Sequence, residues 1–391
     1  MSMNSTDHNL RSAAEALRDG DARRARELFL HVVATGSDKN AALLGLAQAC
    51  RSLGDEAGKI AAIDQLLLAE PRNLRALLLK ADHLAAMGDE RSAASYYRIA
   101  LKTAPPQDQA PQDLVAELRK AREICDRYAA QYQAHLIGQM RAKGFDPATS
   151  SQRFAQSLDI VLGTKRIYVQ EPRYYYFPAL PQIQFYDRGG FAWLDAIESA
   201  TADIRDELEE IMAEPGAFAP YVQGHANRPR KEEAGMLNNP AWSAFYLWKN
   251  GEVVAENAAR FPKTMRALRD VPLARVPNRS PSILFSLLRP GAHIPPHNGL
   301  VNTRLICHLP LIVPGECRFR VGNEVRQWEA GRAWLFDDTI EHEAWNDSDR
   351  TRVILLFDVW RPELADEERA LVVSLFEAID AYSGRKPDWE I

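Results

Sequence analysis

A Gly-Asp dipeptide recurs at a fixed interval of 34 residues in the first third of the chain, starting at Gly20, Gly54 and Gly88. An alanine stands seven residues before each glycine, and Pro71 and Pro105 are separated by the same interval. In a helix hairpin, small residues let two helices pack closely, glycine makes the turn and proline ends the second helix. A constant period of this length is typical of helical repeats, so the spacing predicts a stack of helix pairs.

The third copy, GDERSAASYYRIALKTAP, resembles the tetratricopeptide repeat. It has Ala93, Tyr97, Ala100 and Pro105 at the usual places of that repeat. We therefore expect tetratricopeptide-like helical repeats over residues 1–108, near the minimum of about three copies that a stable stack needs. The concave face of such an array is suited to a peptide or another subunit. The alternative, that the array only stacks on the rest of the chain or makes a dimer contact, stays open.

A helical linker is expected over residues 109–170, after which the periodicity changes. From about residue 281 the pattern is that of strands separated by Gly, Pro, Asn and Asp. The predicted strands are SILFSLLR, TRLICHLPLIV, CRFRV, EVRQW, RAWLF and RVILLFDVW. The pair Gly322-Asn323, between the third and fourth of these, indicates a tight hairpin.

Closely spaced strands with such turns predict a double-stranded β-helix, the jelly-roll or cupin-like fold. We place this domain at residues 171–391 with its core at 281–364, and we expect flanking helices over 191–215 and 363–383. The predicted fold class is therefore multidomain α and β, a helical repeat array followed by a β-helix domain.

Composition excludes several classes of function. The 391 residues carry a formal net charge of −5, which gives no electrostatic case for nucleic acid or an anionic membrane as partner. No apolar run approaches the roughly 18 residues of a membrane span, and the polar N-terminus lacks a secretory signal. The four cysteines show no C-x-x-C pair or disulfide framework. We expect a cytoplasmic protein.

Four of the nine histidines fall within one stretch of fifty residues inside the strand-rich region: His293, His297, His308 and His342. Imidazole is the commonest nitrogen ligand of iron, zinc and copper. His297 follows two prolines that stiffen the chain, and His342 is expected in the turn after a strand, facing the barrel mouth. Either histidine alone would ordinarily be a solvated loop residue, but the two together predict a metal site. The usual His-x-Asp carboxylate is missing, because Gly299 stands in its place.

The region from about 240 to 364 resembles the aspartyl/asparaginyl β-hydroxylase family of Fe(II)- and 2-oxoglutarate-dependent oxygenases. The segments that carry the resemblance are WSAFYLWKNGE, FSLLRPGAHIPPHNG, NTRLICHLPLIVP, CRFRVGNE, LFDDTIEHEAWN and FDVWRPEL. It implies a dioxygenase with Fe(II) as cofactor and 2-oxoglutarate and O2 as co-substrates. Helical repeats ahead of the oxygenase domain are a known arrangement in this family.

The resemblance implies that His297 and His342 are the metal ligands and catalytic residues, with Gly299 marking the absent carboxylate. A bound 2-oxoglutarate dianion can supply the missing negative charge. A rival within the sequence is that Asp337 or Asp338 supplies the carboxylate, although the favoured role of either is to cap the turn or to bond its backbone.

The resemblance also assigns the co-substrate site. Arg352 matches the anchor of the distal carboxylate of 2-oxoglutarate, since a guanidinium provides a fork of donors. Ser286 matches its hydroxyl partner, and His308 matches a histidine that orients the co-substrate. Without the resemblance, Arg352 would read as a solvated charge at the start of a strand.

Arg304, Ile306 and His308 should share one face of their strand by alternation. Ile306 occupies the place where well-known family members have a second arginine that helps to hold carboxylates. We therefore expect Arg304 and Ile306 to line the substrate site. The missing arginine weakens the case for an aspartyl side chain as the substrate. An alternative is that Arg318 or Arg320 supplies the positive charge of the missing arginine.

The predicted reaction decarboxylates 2-oxoglutarate to succinate and CO2 while hydroxylating a C–H bond, first of all the β-carbon of an Asp or Asn residue in a peptide or protein. Other candidate substrates are a free amino acid, a peptide natural product and a lipid acyl chain. An alternative of another class is a non-catalytic scaffold of repeats and a cupin-like barrel. A cupin-type metalloenzyme independent of 2-oxoglutarate is the third hypothesis.

Overall fold

The computed structural model describes residues 3–35, 39–106, 109, 111–224 and 235–383. The chain divides into two compact units, Met1–Leu162 and Gly163–Ile391. The domain limits proposed from the sequence, at 108/109 and 170/171, stay a prediction.

The first unit is helical. Its α-helices in the described part of the chain are α1 (Met3–Arg18), α2 (Ala22–Thr35), α3 (Lys39–Ser52), α4 (Glu56–Ala69), α5 (Leu74–Ala86), α6 (Glu90–Thr103), α7 (Gln112–Ala142) and α8 (Gln152–Val161). The predicted helical repeat array is confirmed.

The recurring Gly-Asp pair makes the turn inside each helix pair. Gly20, Gly54 and Gly88 have φ angles of +80°, +70° and +80°, in the left-handed region that glycine adopts without strain. The following aspartate then caps the next helix: a side-chain oxygen of Asp89 accepts from the backbone N–H of Ser92 at 3.0 Å, for example. The alanines that precede these glycines are buried between the helices, namely Ala13, Ala47 and Ala81.

The second unit contains two β-sheets and several short helices. Its strands are β1 (Ala219–Pro220), β2 (Trp242–Lys249), β3 (Glu252–Val253), β4 (Ile283–Leu288), β5 (His293–His297), β6 (Arg304–Ile312), β7 (Cys317–Val321), β8 (Glu324–Gln327), β9 (Trp334–Phe336), β10 (His342–Asn346) and β11 (Arg352–Trp360). Its α-helices are α9 (Leu194–Ser199), α10 (Thr201–Met212), α11 (Ala255–Ala259), α12 (Pro262–Ala267) and α13 (Asp366–Ser383).

The larger sheet has the strand order β1-β2-β4-β11-β6-β9, with β3 paired to β2, and the smaller sheet has the order β5-β10-β7-β8. The paired strands are antiparallel throughout. Gly322 and Asn323 form the two-residue turn between Val321 and Glu324, which confirms the predicted hairpin. This pair of sheets is the predicted β-helix architecture.

The two faces of the larger sheet have different surroundings, since one packs against helices and the other lines a cavity. Phe285, Leu305 and Phe357 point to one face and belong to one buried cluster with Leu194 and Leu208 of α9 and α10. Residues that alternate with them point to the other face, which forms a cavity. The strands thus hold the cavity wall rigidly because their opposite side is packed.

Five strands were not predicted, namely β1, β2, β3, β5 and β10, and two of them carry the two histidines. His297 ends β5, which contains Pro295 and Pro296, and His342 begins β10. The expectation that His342 lies in a turn after a strand is therefore wrong. Prolines are tolerated in β5 because it is the edge strand of its sheet and its missing N–H groups interrupt no central ladder.

No helix in the described part of the chain is long and apolar enough to cross a membrane.

Candidate active site

A cavity opens between the two sheets of the second unit. All seven residues singled out from the sequence line it: Ser286, His297, Arg304, Ile306, His308, His342 and Arg352. They come from both sheets, so the fold brings together residues that are up to 66 positions apart in sequence.

The histidine pair is set by strand register. His297 of β5 lies directly opposite His342 of β10 in an antiparallel ladder. Directly opposite residues place their side chains on the same face of a sheet. The two imidazole rings accordingly lie with their centroids 4.1 Å apart, facing the cavity.

Each imidazole is held by a backbone carbonyl. Nδ1 of His297 lies 2.8 Å from the carbonyl oxygen of Pro295, and Nδ1 of His342 lies 3.1 Å from that of Ile340. A carbonyl only accepts, so in the neutral ring Nδ1 carries the proton and Nε2 keeps its lone pair. Burial lowers the pKa of both rings, and that of His342 lies well below the ordinary value. Two neutral imidazoles with free Nε2 atoms and oriented rings fit a first-row metal ion.

No aspartate joins this pair to make a third ligand. Among the residues that the structure describes, no group of three or more His, Cys, Asp or Glu side chains is placed to hold a metal ion. Asp337 is instead bound to the protein: its Oδ2 accepts from Gln170 Nε2 at 2.6 Å and Arg361 Nη1 at 2.9 Å, and its Oδ1 accepts from the Thr339 backbone N–H at 3.0 Å.

Asp338 explains why glycine stands at position 299. A Cβ added to Gly299 would lie 2.1 Å from Asp338 Oδ2 and 2.3 Å from its Cγ, so the Asp338 carboxylate occupies the space of a side chain at 299. The two residues are tied together, since the Gly299 N–H donates to the Asp338 carbonyl at 2.6 Å. Burial raises the pKa of Asp338 to about 7, against the opposing effect of Arg304.

Arg352 is a buried cation that has no carboxylate partner among the residues the structure describes. Its side chain is 1% exposed, and Nη1 donates to the Ser286 carbonyl at 3.1 Å with Ser286 Oγ at 3.5 Å. Its guanidinium carbon lies 4.6 Å from the centre of the Trp328 ring, while Nε has no hydrogen-bond partner among the described residues. Burial lowers its pKa to about 10, so it remains charged at neutral pH. A desolvated, charged fork of donors fits an anion in the cavity.

Further polar groups surround Arg352. The indole N–H of Trp242 donates to Ser286 Oγ at 3.2 Å and thereby orients the hydroxyl. His308 is 4% exposed, and its Nδ1 and the indole N–H of Trp328 have no hydrogen-bond partner within the described part of the chain. Burial and the charge of Arg352 hold the pKa of His308 well below its ordinary value, so the ring is neutral.

Arg304, unlike Arg352, has its charge paired with carboxylates of the protein. It forms a buried ion pair with Asp358 and a second, at 3.2 Å, with Asp338 Oδ2. It lines the cavity with Ile306 and His308, as the predicted alternation along β6 requires. Its charge, unlike that of Arg352, is already matched by protein carboxylates.

Three functional side chains were not singled out from the sequence: Trp242, Trp328 and Asp358. Asp358 had a usable signal, because a carboxylate inside the apolar run RVILLFDVW must find a buried cation. The tryptophans had none, since an aromatic residue in a strand is ordinarily part of the core.

Residues 198–362 match the family model described as Aspartyl/Asparaginyl beta-hydroxylase. The human protein named aspartyl/asparaginyl beta-hydroxylase is 38% identical over 169 residues, which cover 42% of this chain and 21% of that protein. The ornithine lipid ester-linked acyl 2-hydroxylase of Rhizobium tropici is 34% identical over 180 residues, covering 45% of this chain and 60% of that protein. The aspartate beta-hydroxylase domain-containing protein 2 of Xenopus tropicalis is 30% identical over 212 residues, covering 53% and 55%. The chain therefore spans between about a fifth and three-fifths of the length of these relatives.

Proposed function

We propose, from the match of residues 198–362 to the aspartyl/asparaginyl β-hydroxylase family model, that the chain is an Fe(II)- and 2-oxoglutarate-dependent hydroxylase. The observation that carries the proposal is a buried Arg352, without a carboxylate partner among the described residues, in the same cavity as the His297–His342 pair. A charge that is desolvated and unpaired costs several kcal/mol unless a ligand compensates it. A dicarboxylate that reaches from the histidine pair to Arg352 supplies that compensation.

Each residue has a task in this site. His297 and His342 would hold the iron through their free Nε2 atoms. With 2-oxoglutarate and O2, the bound iron supplies the oxidising chemistry that yields succinate, CO2 and a hydroxylated C–H bond. Arg352 binds the distal carboxylate of 2-oxoglutarate, and the Ser286 hydroxyl, oriented by Trp242, gives it a second donor. His308 offers its unpartnered Nδ1 to the co-substrate as a neutral group.

Apolar side chains form part of the cavity wall around the proposed reacting centre. Ile294, Phe319 and Phe336 are buried and line the cavity beside the two histidines. A dry, apolar surrounding strengthens the electrostatic interaction between Arg352 and a bound anion.

The proposed substrate is the β-carbon of an Asp or Asn residue in a peptide or protein, by the description of the family. The helical repeats are proposed to hold that peptide or a partner protein. A cytoplasmic location and the absence of nucleic-acid and membrane partners stay predictions from the sequence.

A second candidate is hydroxylation of a lipid acyl chain. Two observations favour it: the similarity to the acyl 2-hydroxylase of Rhizobium tropici, and the apolar Ile306 in the cavity wall. A non-catalytic scaffold and a cupin-type enzyme independent of 2-oxoglutarate are the remaining alternatives, and both predict that the wild type does not turn over 2-oxoglutarate.

The test measures succinate released from 2-oxoglutarate with Fe(II) and O2, first without any added substrate and then with candidate substrates. We expect turnover in the wild type and its loss in His297→Ala and Arg352→Met. Arg350→Met is the matched control, because Arg350 lies two residues from Arg352 but its side chain is 72% exposed. Full turnover in His297→Ala, or no turnover in the wild type, would contradict the proposal.

A further inference from the structure

We infer that the rim segment, residues 170–186, positions the two proposed metal ligands, and that Gln170 is its central positioning residue. This segment precedes the family match at residues 198–362. The inference rests on the proposed function and adds a further part of the chain to the same site. Three features carry it: the backbone contacts of the rim segment, the contacts of the Gln170 side chain, and the place of the histidine pair in its ladder.

The first feature is that the backbone of the rim segment is bound beside both histidines. The Arg173 N–H donates to the Gly299 carbonyl at 2.9 Å, two residues after the first histidine. The Glu171 N–H donates to the Thr339 carbonyl at 2.8 Å, three residues before the second histidine. One short stretch of chain therefore holds the turn that follows His297 and the turn that precedes His342.

The second feature is the side chain of Gln170, which joins the same two turns. Gln170 is 6% exposed, and its Oε1 accepts from Asn302 Nδ2 at 2.9 Å. Its Nε2 donates to Asp337 Oδ2 at 2.6 Å and to the Pro181 carbonyl at 3.0 Å. Asn302 lies five residues after the first histidine, and Asp337 lies five residues before the second. A buried carboxamide thus uses both of its polar ends to fix the separation of the two turns.

The third feature explains why the histidine pair needs this support. His297 is the last residue of β5 and His342 is the first residue of β10, so the pair is the terminal rung of its ladder. The register of the two strands also shifts between His342 and Ala344. Strand ends open more readily than strand centres. The rim segment supplies contacts at this end of the ladder, and contacts beyond the ligands orient them for a metal.

The proposed co-substrate anchor is attached separately. Arg352 and Ser286 lie on β11 and β4 of the larger sheet, and no hydrogen bond joins them to the rim segment in the described part of the chain. A change at Gln170 should therefore weaken metal binding and leave the binding of 2-oxoglutarate by Arg352 unaltered. A role in general stability alone would not produce this difference.

The experiment compares the full-length wild type with Gln170→Met, which is close in size and lacks the carboxamide. Asp337 keeps its hydrogen bond from Arg361 in this variant, and Asn302 keeps its hydrogen bond to the Phe177 carbonyl. No buried charge loses its partner, so we expect the variant to fold. Calorimetry under anaerobic conditions measures the affinity for Fe(II), and the visible absorption of added Co(II) reports the coordination geometry.

A second variant acts on Gln170 from the surface. Gln182 is exposed, and its Oε1 accepts from the Gln170 backbone N–H at 2.6 Å. Gln182→Met removes this acceptor without changing the buried carboxamide. We expect it to weaken Fe(II) binding in the same direction as Gln170→Met and by less.

The matched control for lost stability is Thr264→Val in α12. Thr264 is buried, and its Oγ1 donates to Glu207 Oε2 at 2.7 Å. Its neighbours Phe261 and Leu268 belong to the buried cluster on the helix-packed face of the larger sheet. Thr264→Val therefore removes a buried hydrogen bond away from the cavity. It should lower the melting temperature and leave Fe(II) binding unchanged.

The expected result is a rise in the Kd for Fe(II) of at least about tenfold in Gln170→Met, the lower end of the range for contacts that orient metal ligands. The Co(II) absorption should change with it. The KM for 2-oxoglutarate, measured with saturating Fe(II), should stay at the wild-type value.

Unchanged Fe(II) affinity in a folded Gln170→Met protein would overturn the inference. An equal rise in the Kd for Fe(II) and the KM for 2-oxoglutarate would overturn it too, because it would show a general loss of structure. If Gln170→Met does not fold, unchanged Fe(II) affinity in Gln182→Met would overturn it. No Fe(II) binding by the wild type would instead overturn the proposed function, so the two failures are distinguishable.

Discussion

At the scale of single residues, the site is defined by how its buried charges are paired. Arg304, Arg352 and Arg361 are each at most 7% exposed. Arg304 and Arg361 have aspartate partners, while Arg352 has no carboxylate partner in the described part of the chain. An unpaired buried charge destabilises a fold. The presence of Arg352 in the same cavity as two histidines suited to bind a metal therefore indicates a functional role for this arginine.

Arg352→Met should therefore separate function from stability. We expect the melting temperature of the protein without ligand to stay unchanged or rise, because the variant removes an uncompensated charge, while the stabilisation by 2-oxoglutarate disappears. Arg361→Met is the matched control: it strands the buried Asp337 carboxylate and should lower the free energy of unfolding by about 3–5 kcal/mol. Thermal unfolding with and without 2-oxoglutarate measures both. A large loss of stability in Arg352→Met alone would contradict this assignment.

Gly299→Ala should be destabilising because its Cβ would overlap the Asp338 carboxylate. We expect a loss of about 1–3 kcal/mol, the usual range for a side chain forced into occupied space. In the double variant Gly299→Ala/Asp338→Ala the overlapping atoms are gone, so the two effects should not add. A double-variant cycle by chemical unfolding measures the coupling, and additive losses would exclude a direct clash.

Asp338 should also make stability depend on pH. Because its pKa in the folded state is raised to about 7, the folded protein holds this proton more tightly than the unfolded chain does. Its contribution is thus fully present below about pH 4 and is lost as the pH rises to about 7, by on the order of 4 kcal/mol. Relative to Asp338→Asn, the wild type should lose stability over that interval. Parallel pH profiles of the two proteins would contradict this, and Asp349→Asn, at a 96% exposed aspartate, is the control.

The seven residues that the sequence assigned to the site all line one cavity. The sequence did not predict which of the charged side chains form ion pairs with each other. Arg304 was a candidate ligand for a substrate carboxylate, and its ion pairs with Asp338 and Asp358 were not predicted. Those contacts depend on how strands β6 and β11 align and on the approach of the 338 turn. Strand register is set by tertiary packing, which a periodic pattern does not report.

At the scale of elements, apolar runs and turn residues predicted six strands, β4, β6, β7, β8, β9 and β11, while β1, β2, β3, β5 and β10 were missed. The sequences HIPPH and HEAWN are short, polar and, in β5, interrupted by two prolines. Such segments carry a weak strand signal, and they form strands here because β10 pairs on both sides with β5 and β7. The two candidate metal ligands therefore lie on the elements least evident from the sequence.

The helical repeats follow local rules, which makes them predictable and testable. Gly88→Ala should cost about 1–2 kcal/mol because residue 88 has a φ of +80°, where a Cβ is strained. Gly138→Ala, in the interior of α7 with open space around it, should stabilise the protein by up to about 1 kcal/mol. Chemical unfolding monitored by helical circular dichroism compares them. The same sign for both changes would contradict the assigned turn geometry.

At the scale of the whole molecule, every candidate catalytic residue comes from the second unit, and the family match lies within it. The first unit adds the helical array, whose partner no residue identifies. The pattern of repeats and strands predicted the fold class, and the resemblance of a stretch of sequence supplied the proposed chemistry. Substrate and partner stay proposals because the chain spans at most about three-fifths of the length of the relatives described above.

The most direct test of the central claim is anaerobic. Fe(II) and 2-oxoglutarate are added to the purified full chain, and the visible metal-to-ligand charge-transfer band is recorded for the wild type, His342→Ala, Arg352→Met and the control Arg350→Met. We predict a band in the wild type and in Arg350→Met, none in His342→Ala, and in Arg352→Met a band only at a 2-oxoglutarate concentration at least about thirtyfold higher, equivalent to roughly 2 kcal/mol. No band in the wild type, together with no Fe(II) binding by calorimetry, would contradict the account and leave the scaffold as the better explanation of the fold.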